Sequence, residues 1–182
     1  MTRFLDVRLH APARSLGVLA EFYGARLGVE QLEETGGRTV FRVGETRLAF
    51  VPDAARPFYH FALLVPGNRF GAALDWAGER TELLPDRQTG NTVFDFSNWD
   101  AQACYFHDPA GSIVELIAHR GVGETRAGGS FTAEELVGLS ELGLVGDTAA
   151  RPGAAMANVT PITAASAAGS VLTLRRRILP PY

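Results

Sequence analysis

The sequence predicts an α+β protein made of two tandem βαβββ units and a C-terminal extension. A strand, a helix and three short β-rich runs occur twice in the same order, and the two copies align at a single offset without a gap. After Arg120 the composition shifts to Gly-rich and then Ala-rich sequence. We therefore place the first unit at residues 1–55, the second at residues 56–120 and the extension at residues 121–182.

The composition is that of a soluble globular chain, long enough for one good core or two small ones. Of its 182 residues, 46% are hydrophobic and 20% are charged, with a net charge of −3. Phosphate binding needs a basic face, and Lys and Arg cluster only at 175–177, so no nucleic-acid partner is expected. No apolar run approaches ~20 residues, and no signal-peptide pattern opens the chain, so neither membrane insertion nor export is indicated. With a single cysteine, Cys104, the chain is expected in the cytoplasm.

In the first unit, alternating apolar and polar residues predict a strand, and Pro and Gly residues mark where the elements end. Residues 4–10 alternate apolar and polar side chains, which predicts a strand that Pro12 stops. Ser15 is a plausible N-cap for a helix with one apolar side, which Gly28 ends. Turns at 36–37 and 44–45 then separate three β-rich runs, at residues 29–34, 39–43 and 47–51.

The second unit repeats this order and carries two metal-competent side chains. A strand over 58–65 is followed by a helix opening at Asn68 and by three β-rich runs, the last at 113–118. His60 lies in its first strand and Glu115 in its last. Alternation predicts that His60, Ala62 and Leu64 share the face of the strand that lines a cavity. The bulkier residues between them are expected on the opposite face, under the helices.

The two units align at an offset of 54 residues. This offset places Pro12 on Pro66 and also matches the apolar helix positions of the two units. The same offset puts Asp6 on His60. The first strand of each unit therefore carries a candidate metal ligand.

Three motifs mark the two units: EFYGARLGV at the end of the first helix, YHFALLVP in the first strand of the second unit, and FHDPAGSIVELIAHR at its end. Together they resemble the vicinal oxygen chelate superfamily of glyoxalases, bleomycin-resistance proteins and extradiol dioxygenases. The resemblance covers about residues 4–119. It implies that the two units form a curled mixed sheet around a cavity, and that metal-dependent members bind a divalent ion there through the first and last strands of both units.

Carried over to this chain, the resemblance implies that His60, Glu115 and Asp6 are metal ligands. The fourth position departs from the family pattern, because the aligned residue is Arg47, Leu48 or Ala49 and none of these binds a metal. A site with three protein ligands would leave open positions for a bidentate oxygen ligand. The implied cofactor is a divalent ion, Fe, Zn, Mn or Ni.

Each of these residues also has a plainer interpretation. His60 could be a hydrogen-bonded cavity histidine, and Asp6 could serve in a salt bridge. Glu115 lies in a run that is apolar on both faces, so it needs a partner, which a metal or Arg8 would provide.

The remaining candidates are expected around the cavity. His10 lies on the same face as Asp6, so it could replace Asp6 as a ligand or, like Tyr105, act as a general acid or base. Arg8 is a candidate substrate contact. Aromatic side chains, with Phe96 and Trp99 as substrate contacts, could rim the cavity, although aromatics in such numbers are more often core.

The extension is expected to add one strand or hairpin to a sheet edge. Thr132 is a candidate N-cap, a strand over 138–146 follows, and the C-terminal residues 171–182 alternate enough for another strand. Residues 148–170 have little to bury. Because nearly all aromatics precede Arg120, the first 119 residues are expected to fold without the extension. Its role stays open between a partial third unit, a lid, a contact in a homodimer and a tail.

Two functional classes are compatible with these features. The first is a metal-dependent lyase or dioxygenase acting on a small oxygen-rich or aromatic substrate, with the metal as Lewis acid. The second is a metal-free protein that binds a small antibiotic-like molecule, as bleomycin-resistance proteins do. The pair of His60 and Glu115 favours the first class, while Arg8 and the missing fourth ligand favour the second.

Overall fold

The structure, a computed structural model, describes residues 3–35, 37–54, 57–144 and 175–177 and contains both βαβββ units. The first unit comprises β1 (Arg3–Pro12), α1 (Leu16–Ala20), a π-helical continuation (Glu21–Arg26), β2 (Glu30–Thr35), β3 (Arg38–Val43) and β4 (Thr46–Asp53). The second comprises β5 (Tyr59–Val65), α2 (Phe70–Gly78), β6 (Phe94–Phe96), β7 (Ala101–His107) and β8 (Ile113–His119). The extension contributes β9 (Gly138–Leu144) and β10 (Arg175–Arg177). The predicted α+β class is confirmed.

Each unit forms a mixed sheet, and the extension adds a strand to each of them. The strand order is β10-β1-β4-β3-β2 in the first sheet and β6-β7-β8-β5-β9 in the second. In both units the first and last strands are parallel neighbours, β1 with β4 and β5 with β8. The topology therefore places the two strand positions that carry candidate ligands side by side within a unit.

One hydrophobic core fills the helix-covered faces of both sheets. The alternate residues of β5 that belong to this core are all buried, namely Tyr59, Phe61, Leu63 and Val65. Ala62 and Leu64 belong to a second apolar cluster on the opposite face. The predicted division of β5 into a bulky core face and a face of smaller side chains is confirmed.

The first helix differs from the prediction at its start and in its winding. Ser15 is the residue immediately before α1, as predicted, but its side chain makes no capping hydrogen bond to the helix. The α-helical winding changes to π-helical winding from Glu21 to Arg26. Gly28 ends the helix as expected, with a φ of 74° that favours glycine. No helix among the described residues is long and apolar enough to cross a membrane.

A buried hydrogen bond joins the two units. Within the π-helical stretch, Tyr23 donates its hydroxyl proton to Asp108 Oδ2 at 3.1 Å. Asp108 Oδ1 accepts the backbone amides of Ala110 and Ser112, both at 2.9 Å, and so shapes the turn between β7 and β8. Burial raises the pKa of both Tyr23 and Asp108. The FY motif of the first unit and the DPAG motif of the second are therefore parts of one polar contact.

The extension is built into the core. Thr132 and Glu135 form a capping box around the short turn Ala133–Glu135, so Thr132 caps as predicted. Glu135 also pairs with Arg69 beside α2 through two hydrogen bonds, at 2.8 and 3.1 Å. Among the described residues of the extension, four side chains are buried in the main core, those of Phe131, Ala133, Leu136 and Leu139. Independent folding of the first 119 residues is therefore no longer expected, because these side chains complete the core.

Candidate active site

Glu115 is a buried carboxylate whose two oxygens both have partners. Its exposed fraction is 4%. Oε2 lies 2.8 Å from His60 Nε2, and Oε1 accepts a hydrogen bond from the Tyr105 hydroxyl at 3.1 Å. The structure thus brings together three residues that the sequence marks as functional.

The register of the second sheet explains this meeting. Glu115 on β8 lies opposite Ala62 on β5 and opposite Tyr105 on β7. Directly opposed residues share a face of a sheet, and His60, two residues from Ala62, shares that face as well. Ala62 itself is fully buried, so the larger side chains around it close over its methyl group.

The surroundings of the pair are mainly apolar and aromatic. The His60 and Tyr105 rings lie 5.8 Å apart, and Phe94 packs edge-on against Tyr105 with ring centroids 4.9 Å apart. Ala62, Tyr105 and Ile117 are buried members of the same cluster. A charge on Glu115 is therefore held in a region that water enters poorly.

The ionisation of neighbouring groups reflects this environment. Burial, followed by the charge of Glu115, raises the pKa of the Tyr105 hydroxyl. Tyr105 therefore remains protonated near neutral pH and donates to Glu115, so it is suited to act as a hydrogen-bond donor and not as a base. The same two causes raise the pKa of the buried Cys104 thiol to about 12, which keeps this thiol unreactive.

A second carboxylate near the pair was missed by the sequence interpretation. Glu141 lies on β9 opposite Ala62, on the side of β5 away from Glu115. Burial raises the pKa of Glu141, the charge of Glu115 raises it further, and the charges of His119 and His60 lower it. The predicted strand over 138–146 contained Glu141, but the alternation of that strand alone did not show which face the residue would take.

Asp6 and Arg8 do not join the pair. Both lie on the first sheet, where Asp6 Oδ1 is 3.7 Å from Arg8 Nε. The Arg8 side chain is half exposed, and the alternative pairing of Arg8 with Glu115 is not found among the described contacts. Within the described ranges, no group of three or more His, Cys, Asp or Glu side chains is close enough to hold a metal ion. Asp6 and Arg8 lie on β1 of the first sheet, whereas His60 and Glu115 lie on β5 and β8 of the second.

The register also identifies the first-unit counterpart of Glu115. Glu115 lies opposite Ala62, and the residue 54 positions before Ala62 is Arg8, which lies opposite Ala49. The aligned residue, left open by the sequence, is therefore Ala49. Its methyl group has no atom that can bind a metal or accept a proton.

The other sequence candidates lie around the pair or apart from it. His10 Nδ1 lies 2.8 Å from Asp53 Oδ2, and its backbone amide donates to the Tyr59 hydroxyl, so it belongs to a cluster where the two units meet. Phe96 and Trp99 pack against each other with ring centroids 5.7 Å apart, and Trp99 is 58% exposed. Phe96 belongs to the apolar cluster around the pair, whereas His10 does not.

A cavity of about 370 Å³ lies elsewhere, between the start of α1 and the strands β2 and β3. Its lining residues include Leu16, Glu34 and Arg38, and none of the predicted site residues is among them. The candidate site is therefore defined by the polar contacts of Glu115 and not by this cavity.

Solved structures share this fold at low sequence identity. No family model matches the sequence, and no curated protein is similar to it in sequence. An integron cassette protein from the mobile metagenome of the Halifax Harbour sewage outfall is 17% identical, over 63% of this chain and 97% of its own, with a TM-score of 0.51. Oxidase ChaP-H1 is 20% identical, over 64% and 95%, with a TM-score of 0.50. A glyoxalase/bleomycin resistance protein/dioxygenase from Nocardioides is 18% identical, over 67% and 87%, with a TM-score of 0.47.

At these identities the likeness concerns the fold, and it agrees with the motifs at the end of the first helix and around the turn before β8. Over 63% and 64% of its length, the chain therefore shares its fold with the integron cassette protein and with oxidase ChaP-H1.

Proposed function

We propose that the protein is a metal-dependent enzyme of the glyoxalase or dioxygenase type, acting on a small oxygen-rich or aromatic substrate. The observation that supports this most directly is the contact between His60 and the buried Glu115. An imidazole nitrogen and a carboxylate oxygen are ligands that Zn²⁺, Mn²⁺, Fe²⁺ and Ni²⁺ all accept. A buried, apolar surrounding is also where such a charge pair has its largest electrostatic effect.

The spacing of the two donor atoms fits this proposal. Two ligands about 2.1 Å from one ion at a right angle are about 3.0 Å apart. His60 Nε2 and Glu115 Oε2 are 2.8 Å apart, so little movement would separate a hydrogen-bonded pair from a pair of ligands. A divalent ion held there would act as a Lewis acid toward an oxygen of the substrate.

The neighbouring side chains have supporting roles in this proposal. Tyr105 holds the second oxygen of Glu115 and so fixes the orientation of the carboxylate. Phe94 covers Tyr105 and limits the access of water. Trp99, supported by Phe96, offers an exposed aromatic face to a substrate.

One observation favours the second candidate, a metal-free small-molecule binding protein. Glu115 already has a partner at each oxygen, so the site is electrostatically satisfied by His60 and Tyr105 alone. In that case the exposed ring of Trp99 would provide the binding surface by stacking on an aromatic ligand.

Metal binding by the wild type and by Glu115→Gln distinguishes the two candidates. The amide keeps the volume of the side chain and removes the charge, so we expect the affinity for Mn²⁺ to fall by more than about 100-fold while the urea unfolding curve keeps its shape. Glu134→Gln, an exposed change in the extension, is the matched control and should bind Mn²⁺ like the wild type.

The enzyme proposal fails if the wild type binds none of Mn²⁺, Zn²⁺, Fe²⁺ or Ni²⁺ at micromolar concentrations. Quenching of Trp99 fluorescence by aromatic compounds in that metal-free protein would support the binding-protein candidate. The other tryptophan, Trp76, is buried, so Trp99 is expected to dominate such quenching.

A further inference from the structure

The extension strand β9 brings a second carboxylate to the row of residues that contains Glu115. We propose that Glu141 is the third protein ligand of the ion held by His60 and Glu115, in the place that the sequence assigned to Asp6. This inference rests on the proposed metal-dependent function. It gives the extension a role in the site, in addition to its contribution to the core.

The geometry of the second sheet supports this role. Glu115 and Glu141 both lie opposite Ala62, one on each neighbouring strand of β5. Neighbouring strands are about 4.8 Å apart, so the two α carbons are separated by roughly 10 Å with only a methyl group between them. His60, Glu115 and Glu141 do not form a three-ligand cluster as they lie in the structure, so the proposed role requires the Glu141 side chain to rotate over Ala62 toward the pair. The Glu141 side chain is exposed to solvent and only partly desolvated, so no packed neighbour holds its carboxylate away from the pair.

A β-bulge determines that Glu141 faces Glu115. In the pairing of β5 with β9, Leu63 lies opposite Leu139 and Ala62 opposite Glu141, so Ser140 is an extra residue in β9. In an unbroken register Ser140 would lie opposite Ala62, and Glu141 would lie opposite Phe61, which faces the main core. The bulge thus turns Glu141 to the same face as His60, as bulges beside active sites commonly re-aim a side chain.

Contacts to both units fix the position of β9. The Val137 amide donates to the Leu64 carbonyl at 2.9 Å, and the Glu45 amide donates to the Val137 carbonyl at 3.0 Å. The Leu139 amide donates to the Thr46 hydroxyl at 2.9 Å. A ligand on this strand is therefore held on a rigid element and not on a mobile tail.

The charges agree with a bound dication. One neutral imidazole and two carboxylates supply the two negative charges that neutralise a divalent ion. Without a cation, Glu115 and Glu141 repel each other across Ala62. Asp6, by contrast, is already beside Arg8 on the other sheet.

Dissociation constants for Mn²⁺, measured by electron paramagnetic resonance on the full chain, test the assignment. We expect Glu141→Gln to weaken binding by roughly 10- to 100-fold and Glu141→Asp, which has a shorter reach, to fall between that variant and the wild type. Asp6→Asn and the control Glu134→Gln should stay within about twofold of the wild type. The visible spectrum of bound Co²⁺ should also change in Glu141→Gln, because the ligand set changes.

The outcomes separate the two proposals. If Glu115→Gln abolishes binding while Glu141→Gln binds Mn²⁺ like the wild type, the role of Glu141 is wrong and the proposed function stands. Loss of binding in Asp6→Asn with an unchanged Glu141→Gln would return the third ligand to Asp6. A wild type that binds no ion overturns both proposals. Urea unfolding of each metal-free variant establishes that a loss of binding is not a loss of folding.

Discussion

The pairing of Arg69 with Glu135 predicts a pH-dependent effect of Glu135→Gln. The guanidinium of Arg69 is buried, with an exposed fraction of 8%, and gives two hydrogen bonds to the carboxylate. Breaking a buried ion pair from one side costs about 3–5 kcal/mol. Glu135 is only partly buried, and Arg69 keeps its bonds to the carbonyl oxygens of Gly129 and Ser130, so we expect a smaller loss, about 1–2 kcal/mol at neutral pH.

The sign of the pH dependence follows from the pKa of Glu135. Hydrogen bonding to Arg69 lowers this pKa from its ordinary value of 4.5. A carboxyl whose pKa is lowered by folding stabilises the protein fully above its unfolded pKa, and this contribution is lost as the pH falls through the folded pKa. The difference in unfolding free energy between wild type and Glu135→Gln should therefore be largest at neutral pH and shrink below about pH 4.5.

Urea unfolding followed by circular dichroism measures this difference at about pH 7 and at about pH 3. Glu134→Gln, an exposed change in the same turn, is the control and should shift the unfolding free energy by less than about 0.5 kcal/mol. The reasoning is refuted if Glu135→Gln is as stable as this control at neutral pH. It is refuted as well if the full difference persists in acid.

Three further substitutions and one deletion test how the two units and the extension pack. Tyr23→Phe removes the buried hydrogen bond to Asp108 and should lower the unfolding free energy by about 2 kcal/mol. A loss below about 0.5 kcal/mol would mean that this bond contributes little to the stability of the contact between the units. At Gly67 a Cβ would overlap a carbonyl oxygen at the end of β8, so Gly67→Ala should lower the melting temperature, whereas Gly71→Ala, in open space within α2, should raise it slightly. Equal shifts for both glycines would contradict this account. Deletion after Arg120 should abolish the cooperative thermal transition, and a truncated chain that still melts cooperatively would show that the extension is dispensable.

Local patterns predicted the elements of the fold well. The alternation of β5 assigned its two faces correctly, because one face of bulky side chains and one of smaller side chains require opposite environments. Thr132 was also identified as an N-cap, because a threonine before a short helical run is a local signal; the structure adds Glu135 as its capping-box partner. Ser15 precedes the first helix as predicted, but its side chain does not cap the helix, because a residue type suited to capping does not ensure the required backbone geometry.

The site could be predicted only in part. His60 and Glu115 were paired correctly because first and last strands are neighbours within one unit. The placement of Asp6 depends on how the two sheets lie relative to each other, which no local pattern records. Glu141 was missed because a single extra residue, Ser140, inverts the alternation of its strand, and a bulge of this kind has no distinctive sequence.

The addition of β9 to the second sheet also affects the solubility of the protein. Without β9, the outer edge of that sheet would be β5, an apolar strand whose unpaired backbone groups could pair with another chain. Among the described strands, β9 then forms this edge, and it contains a bulge, two glycines and a glutamate, features that disfavour such pairing. Proteolytic removal of the extension should therefore produce a fragment that aggregates through β5, in addition to losing the contacts described above.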